Sequence, residues 1–440
     1  MQVVNGTYSN FKKYDFIDKT ILAMMFIYLF IDAVNGLALR YYSFSISQPY
    51  KLLFLLLIVL GLCRSRMEKT LYFLFWFLFL FFLLYIYTFD HNLDYNPNFL
   101  AENIIFYSKL VVVPLAYIYF KQLSRKNYPG LERVFQSIIV ANLLVIIISV
   151  VIGHFAGFQM YRGGIGSRGF FYSGNEVSLT FVILSIWAIF WAWRKGKIPY
   201  VVTGAVLLSL SVLLATKVAI AGILISLCII PFLSTGVKMP RLRNVAFIGI
   251  LGTVGVFVAY KGMLMTGLWD RFLFYYHQTD LLSFLLSSRD IYLAHSRNIF
   301  FHDYTPMQQL FGAGFDHLLK AVEIDFFDVT MYYGIFGALV FALFWLYMLF
   351  QSFRALRRRT STYASLVVFM NLMLVGISFT AGRTMTSAMA GAFVALSNAM
   401  LFLNMGEVNF KNEQQNQDIS RLQHVSHGRI SHLRDIRQKF

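Results

Sequence analysis

Two stretches of the sequence gather side chains able to manage phosphate charge and a proton. The first is Arg162-Gly-Gly-Ile-Gly-Ser-Arg168-Gly-Phe-Phe-Tyr172-Ser-Gly-Asn175. A guanidinium can grip paired phosphate oxygens in a bidentate way. Glycines let backbone N–H groups approach an anion, and a helix N-terminus near Asn175 would favour negative charge behind them. Tyr172, with the two phenylalanines before it, can stack on a sugar face or pack into the surrounding helices. The literal GxGxxG of Gly164, Gly166 and Gly169 is not a dinucleotide fingerprint, because it joins two apolar runs and follows no strand.

The second stretch begins at Ser288-Arg-Asp-Ile-Tyr-Leu-Ala-His-Ser-Arg297. Its spacing predicts a helix with Arg289, Leu293 and Arg297 on one face, at i, i+4 and i+8. Two guanidiniums so placed could hold one pyrophosphate. A Phe311-Gly-Ala-Gly-Phe315 turn follows, then Glu323, Asp325 and Asp328 at the mouth of an apolar run. Carboxylates there are costly against lipid, so they are expected to face a wet cavity. Glu323 is the candidate general base, with a salt bridge to an arginine of the same loop as the equal alternative. Asp325 is a candidate substrate contact, as is Lys217, which separates two further apolar runs. Each of these cations could instead snorkel to headgroups or pair with local carboxylates. Four histidines in the loop (His277, His295, His302, His317) form no HExxH and no tight pair, so no metal site is expected.

The elements that must position these residues are dictated by composition. Of 440 residues, 58% are hydrophobic, 18% aromatic and only 13% charged, and the mean hydropathy is +0.62. A soluble domain carries about 25% charged residues, so this chain is mostly dissolved in lipid. The net charge of +17 would suit nucleic acid on a polar domain, but the basic residues sit in short clusters between apolar runs, and no nucleic-acid partner is expected. Cys63 and Cys228 offer neither a metal pair nor a disulfide. The first apolar run has membrane length and no small-residue cleavage site, so it reads as a retained helix.

Runs long enough to cross the ~30 Å hydrocarbon layer predict twelve spans, near 20–39, 51–63, 70–88, 104–120, 134–153, 175–193, 199–215, 218–235, 244–260, 326–350, 363–380 and 385–403. The fold class is therefore an all-α polytopic membrane protein. Of the 38 Lys and Arg, 26 fall in one alternate set of connections. By the positive-inside rule that set is cytoplasmic. Both termini are then inside, and the long loop outside. The organisation expected is nine spans over 1–260, an outward loop at 261–325, three spans over 326–403 and a basic tail at 404–440. Asp32 in the first span and Lys109 in the fourth are expected to serve in a helix-to-helix ion pair or, more rarely, in a proton path.

These residues together resemble the O-antigen ligase and polymerase superfamily. The likeness rests on about a dozen helices with one large outer loop before the tenth, on Arg168 with Asn175 ahead of a helix, and on Arg289 followed by Leu293. Gly312-Ala-Gly314 and Gly334-Ile-Phe-Gly337 complete it. Ligases of that superfamily carry a His followed by Asn, Ser or Gln, nine residues before Gly-x-x-Gly. Here Glu323-Ile324 occupies that place, which favours a polymerase. The resemblance implies a GT-C-like, metal-independent, inverting membrane glycosyltransferase with no cofactor. It would act in the bacterial inner membrane on undecaprenyl-diphosphate-linked oligosaccharides, with a chain-length regulator as a further partner. A ligase acting on lipid A core is the nearest rival. A flippase would be expected to carry charges deep in several spans and comparable halves.

Overall fold

A computed structural model describes residues 15–64, 99–126, 128–161, 165–234, 242–314, 322–380, 382, 384 and 386–403. The regular elements assigned among them are helices. In chain order α1 is Phe16–Phe26, α2 Tyr28–Tyr42, α3 Ser47–Cys63, α4 Phe99–Arg125, α5 Leu131–Phe155, α6 Gly174–Lys195, α7 Lys197–Leu214 and α8 Lys217–Ser234. There follow α9 Leu242–Met265, α10 Leu268–Gln278, α11 Leu281–Leu286, α12 Arg289–Asn298 and α13 Pro306–Phe311. The last three are α14 Asp325–Arg358, α15 Ala364–Thr380 and α16 Ala388–Ala399.

Helices α4, α5, α6, α7, α9 and α14 are long and apolar enough to cross a membrane, and the bent pair α1–α2 makes a seventh span. Helices α3, α8, α15 and α16 are shorter apolar helices at four more of the expected positions. The remaining expected span, 70–88, lies outside the described residues, as does the tail. The protein is a polytopic, all-helical membrane protein.

In lipid every backbone group needs an internal partner, and the break between α1 and α2 shows how this is met. The two helices meet at 53°. Asn142 of α5 accepts from Leu29 N at 2.9 Å and donates to Met25 O at 2.9 Å, so its amide occupies the interrupted ladder. Helix α16 is the core of the bundle: every residue from Ala388 to Ala399 is buried. Asn371 and Asn398 exchange amide hydrogen bonds at 2.9 and 3.1 Å, tying α15 to α16 inside that core.

The polar groups sort to two ends. At one end Asp15 pairs with Arg64, Asp18 with Lys126, and Lys121 donates to the Tyr347 hydroxyl. At the other, Lys51 pairs with Asp32 at 2.7 Å, Ser387 donates to Glu176 and Arg289 meets Glu323. Arg64, Lys121 and Lys126 of the first group belong to the set of connections counted as cytoplasmic by charge, and Lys51 and Arg289 of the second do not. The ion pair made by Asp32 is with Lys51 of the second span.

The long loop is mostly helical. Its closing turn locks onto α14, where Gly334 interrupts the helix with φ 67°. A side chain at Gly334 would collide with Leu310 backbone atoms at 2.3 Å. One at Gly312 would meet Tyr332 O at 2.2 Å, and Gly314 N donates to that same carbonyl at 3.1 Å. The two glycine motifs of the sequence are thus the two halves of one close backbone contact.

Candidate functional site

Arg289 is the first residue of α12 and is 8% exposed. Two successive serines with left-handed backbone, Ser287 (φ 56°) and Ser288 (φ 63°), turn the chain into that helix. Such conformations cost roughly 1–3 kcal/mol each for residues with a side chain and gather at functional sites. The guanidinium is held from two sides: Nη1 donates to Thr380 O at 2.7 Å, and Nη2 to Glu323 Oε2 at 2.8 Å. Its Nε is buried and has no hydrogen-bond partner among the described residues. A buried guanidinium donor without a partner is uncommon and leaves capacity for an anion.

Glu323 also adopts a left-handed conformation, φ 59°. Asp328, in the first turn of α14, sets it there by accepting from Val322 N at 2.8 Å and Glu323 N at 3.1 Å. The other side of this residue is backbone: Gly382, with φ 61°, passes so close that a Cβ there would fall 1.5 Å from Glu323 O. Glu323 is thereby fixed to two elements, and its side chain remains about 30% exposed.

The three carboxylates at this mouth were expected to face water, and two of them are instead engaged with protein donors. Asp325 is fully buried and accepts from Ser378 Oγ at 2.9 Å, Thr384 N at 2.8 Å and Thr386 Oγ1 at 2.8 Å. It fastens the start of α14 to the segment joining α15 and α16. Asp328, 4% exposed, is spent on the Glu323 turn.

Around the ion pair stand further cations. Lys217 Nζ donates to the Phe284 carbonyl and to Ser287 Oγ at 3.3 Å, and lies 4.1 Å from the Phe284 ring centre. It thus caps α11 next to the serine turn, and its charge interacts unfavourably with that of Arg289. Arg271 of α10 stacks on Tyr161 at 3.5 Å. Burial pushes the Tyr161 hydroxyl pKa above its ordinary value; Arg271, and more weakly Arg289, oppose that rise.

Tyr161 belongs to a hairpin built by the glycine-rich stretch. Met160 N donates to Gly166 O, Tyr161 N to Ile165 O, and Arg168 N to Phe158 O. Arg168 is half-buried, with Nη1 on the Tyr172 carbonyl at 3.2 Å and a buried Nε lacking a partner among the described residues. It therefore sits on the same hairpin as Tyr161, which feels Arg289.

Among the other sequence candidates, Tyr172 and Asn175 are exposed beside this hairpin, and Arg162 lies outside the described residues. Arg297 is exposed, while Ser296 and Phe300 are buried. The buried stripe of α12 thus runs from Arg289 through Ser296, and the two arginines do not share it. Four participants carried no sequence signal for their roles: Thr380 and Gly382 act through backbone, Tyr161 through stacking, and Glu176 by accepting from the α16 cap Ser387 at 2.8 Å.

No curated protein and no solved structure matches the chain. Residues 271–408 match a family model described as O-antigen ligase like membrane protein. The match begins at Arg271 and takes in Arg289, Glu323, the Gly312–Gly334 contact and all of α16. Over that last third the polytopic chain is similar to O-antigen ligase like membrane proteins.

Proposed function

We propose that this protein is a membrane glycosyltransferase that polymerises a surface polysaccharide, O-antigen or capsule. The donor is a growing glycan on undecaprenyl diphosphate, and the acceptor a lipid-linked repeat unit. The observation that carries the reading is the buried Arg289 guanidinium, clamped by Glu323 and Thr380 with an Nε that has no partner among the described residues, within the family-matched segment.

In this reading the acceptor hydroxyl attacks the anomeric carbon, forming the new glycosidic C–O bond. The bond from that carbon to the diphosphate oxygen breaks on the opposite side, which inverts the centre. Charge develops on the leaving diphosphate, and Arg289 and Arg168 stabilise it with Lys217 nearby. Glu323 takes the hydroxyl proton, and its ion pair with Arg289 keeps both groups at one point before substrate arrives. A preformed cationic hole of this kind supplies the electrostatic stabilisation without a metal.

Losing one such preorganised donor costs roughly 10²–10³ in rate. Arg289→Ala and Arg168→Ala are therefore expected to abolish long glycan chains at normal protein levels, read as the ladder of modal lengths on a gel. A full ladder from both variants would contradict the assignment.

The description of the matched family favours a second reading, the ligase that moves finished glycan to an acceptor. Deletion separates the two. Loss of a polymerase leaves one-repeat glycan, and loss of a ligase leaves long polymer unattached. The site end faces away from the cytoplasm in either reading, as the charge asymmetry of the connections supports.

A further inference from the structure

Helix α10 leaves a membrane span and does not return to one. It follows α9 after only Thr266 and Gly267, and Gly267 (φ 69°) makes the turn. Among the described membrane-length helices, α9 is the one least covered by protein. Its Val254, Phe257, Val258, Tyr260 and Leu264 are exposed, as a lipid-facing surface must be.

Helix α10 carries one continuous apolar stripe. At helical spacing Leu268, Phe272 and Tyr276 fall in one row, with Trp269 and Leu273 in the row beside it. Asp270 and His277 are exposed and border Leu273 at i−3 and i+4, while Gln278 falls on the far side, exposed next to Phe274. The protein covers only part of the apolar stripe. Leu268 is fully buried, and the Phe272 and Tyr276 rings pack edge-on to Phe284 at 6.5 and 5.6 Å. Leu273 and Tyr276 remain 38% and 51% exposed. Trp269 sits edge-on to Tyr260 at 5.0 Å, which joins this bare row directly to the lipid-facing side of α9.

We infer that α10 is an interfacial helix, lying in the headgroup layer of the bilayer at the site end with Trp269, Leu273 and Tyr276 turned into it. An amphipathic helix in that layer sinks its apolar face about 5–10 Å, and Trp and Tyr are the side chains favoured at that depth. The occupant is lipid because the uncovered row is continuous with a surface already in lipid. Arg271, stacked on Tyr161, pins the inward side. The layer formed by α10, α11 and α12 is then held at phosphate level, which sets the height of Arg289. Nothing in this inference depends on which sugar reaction the protein carries out.

Depth measurements test it. In a Cys63→Ser, Cys228→Ser background, a nitrobenzoxadiazole label is placed by Leu273→Cys, by Tyr276→Cys, or by Gln278→Cys on the opposite face. The protein is reconstituted in phosphatidylethanolamine–phosphatidylglycerol nanodiscs. At 273 and 276, quenching by headgroup-spin-labelled lipid should exceed that by 12-doxyl lipid severalfold, with iodide severalfold less effective than at 278. Labels at 273 and 276 as open to iodide as 278 would overturn the inference. So would shielding from iodide with no quenching by either lipid, which would mean a protein covers this face.

Discussion

Arg289 and Glu323 are close in space but not in sequence, and residues further along the chain explain how so few side chains fix the pair. Asp328 holds the Glu323 turn by two backbone N–H bonds, Thr380 offers a carbonyl, and Gly382 gives the only approach a backbone without a Cβ allows. If Glu323 is the base, Glu323→Gln retains a hydrogen-bond partner for Arg289 but cannot accept the proton. Transfer in a reconstituted assay should then fall by about 10²–10⁴, with binding of the diphosphate lipid changed little. Near-wild-type turnover would leave Glu323 only the task of holding Arg289. Asp325 has a different part. Asp325→Ala leaves Ser378, Thr384 and Thr386 donors buried without their acceptor, each costing roughly 1–3 kcal/mol. The thermal unfolding temperature in detergent is expected to drop by several degrees, and an unchanged value would show that these donors find other partners.

At the scale of elements, the sequence was most legible where a single period runs without interruption. Eleven of the apolar runs coincide with apolar helices among the described residues, and the spacing of 289–297 matches α12 closely. An i+8 spacing is too wide for one face, because at 3.6 residues per turn Ser296 at i+7, and not Arg297, returns to the side of Arg289. The buried stripe therefore follows Ser296 and Phe300, and Arg297 is exposed. The loop's shortest helices, α11 and α13, have six residues each, too few to show a period, and packing against the bundle decides them. The serines before α12 gave no warning either, since left-handed backbone at non-glycine residues has no dependable sequence mark. Glycine is the reverse case. Gly312 and Gly334 were visible as motifs, and their meaning, a backbone-to-backbone contact, needed coordinates. Gly334→Ala would force a Cβ against Leu310 in a strained conformation. It is expected to pull the loop off α14 and abolish polymer while the spans stay folded, so that glycan length collapses and helical circular dichroism does not change. Normal glycan lengths would show that the contact can relax harmlessly.

At the scale of the whole molecule, ion pairs form in two groups. Asp15–Arg64 and Asp18–Lys126 belong to one, and Asp32–Lys51 and Arg289–Glu323 to the other, with Lys217 and the Arg271–Tyr161 stack near Arg289. Counting basic residues between apolar runs predicts which connections carry the cations. It could not reveal which cations meet. Lys217 touching the α11 terminus and Arg271 stacking on Tyr161 are products of how the loop folds back. Carboxylates clustered at a membrane mouth looked solvent-facing. The bundle instead uses Asp325 to join α14 to the entry of α16, because a fully buried carboxylate with three donors is a strong link between elements.

The account stands on two arginines from distant parts of the chain acting on one diphosphate. The most direct measurement is binding of undecaprenyl diphosphate and undecaprenyl monophosphate to purified protein in nanodiscs, for wild type, Arg168→Ala, Arg289→Ala and the double variant. The account predicts that each single variant loses at least tenfold in affinity for the diphosphate and far less for the monophosphate. The double variant should lose an amount that differs from the sum of the two, as groups sharing one ligand do. Diphosphate binding unchanged by Arg168→Ala, or two losses that simply add and fall equally on both lipids, would contradict it.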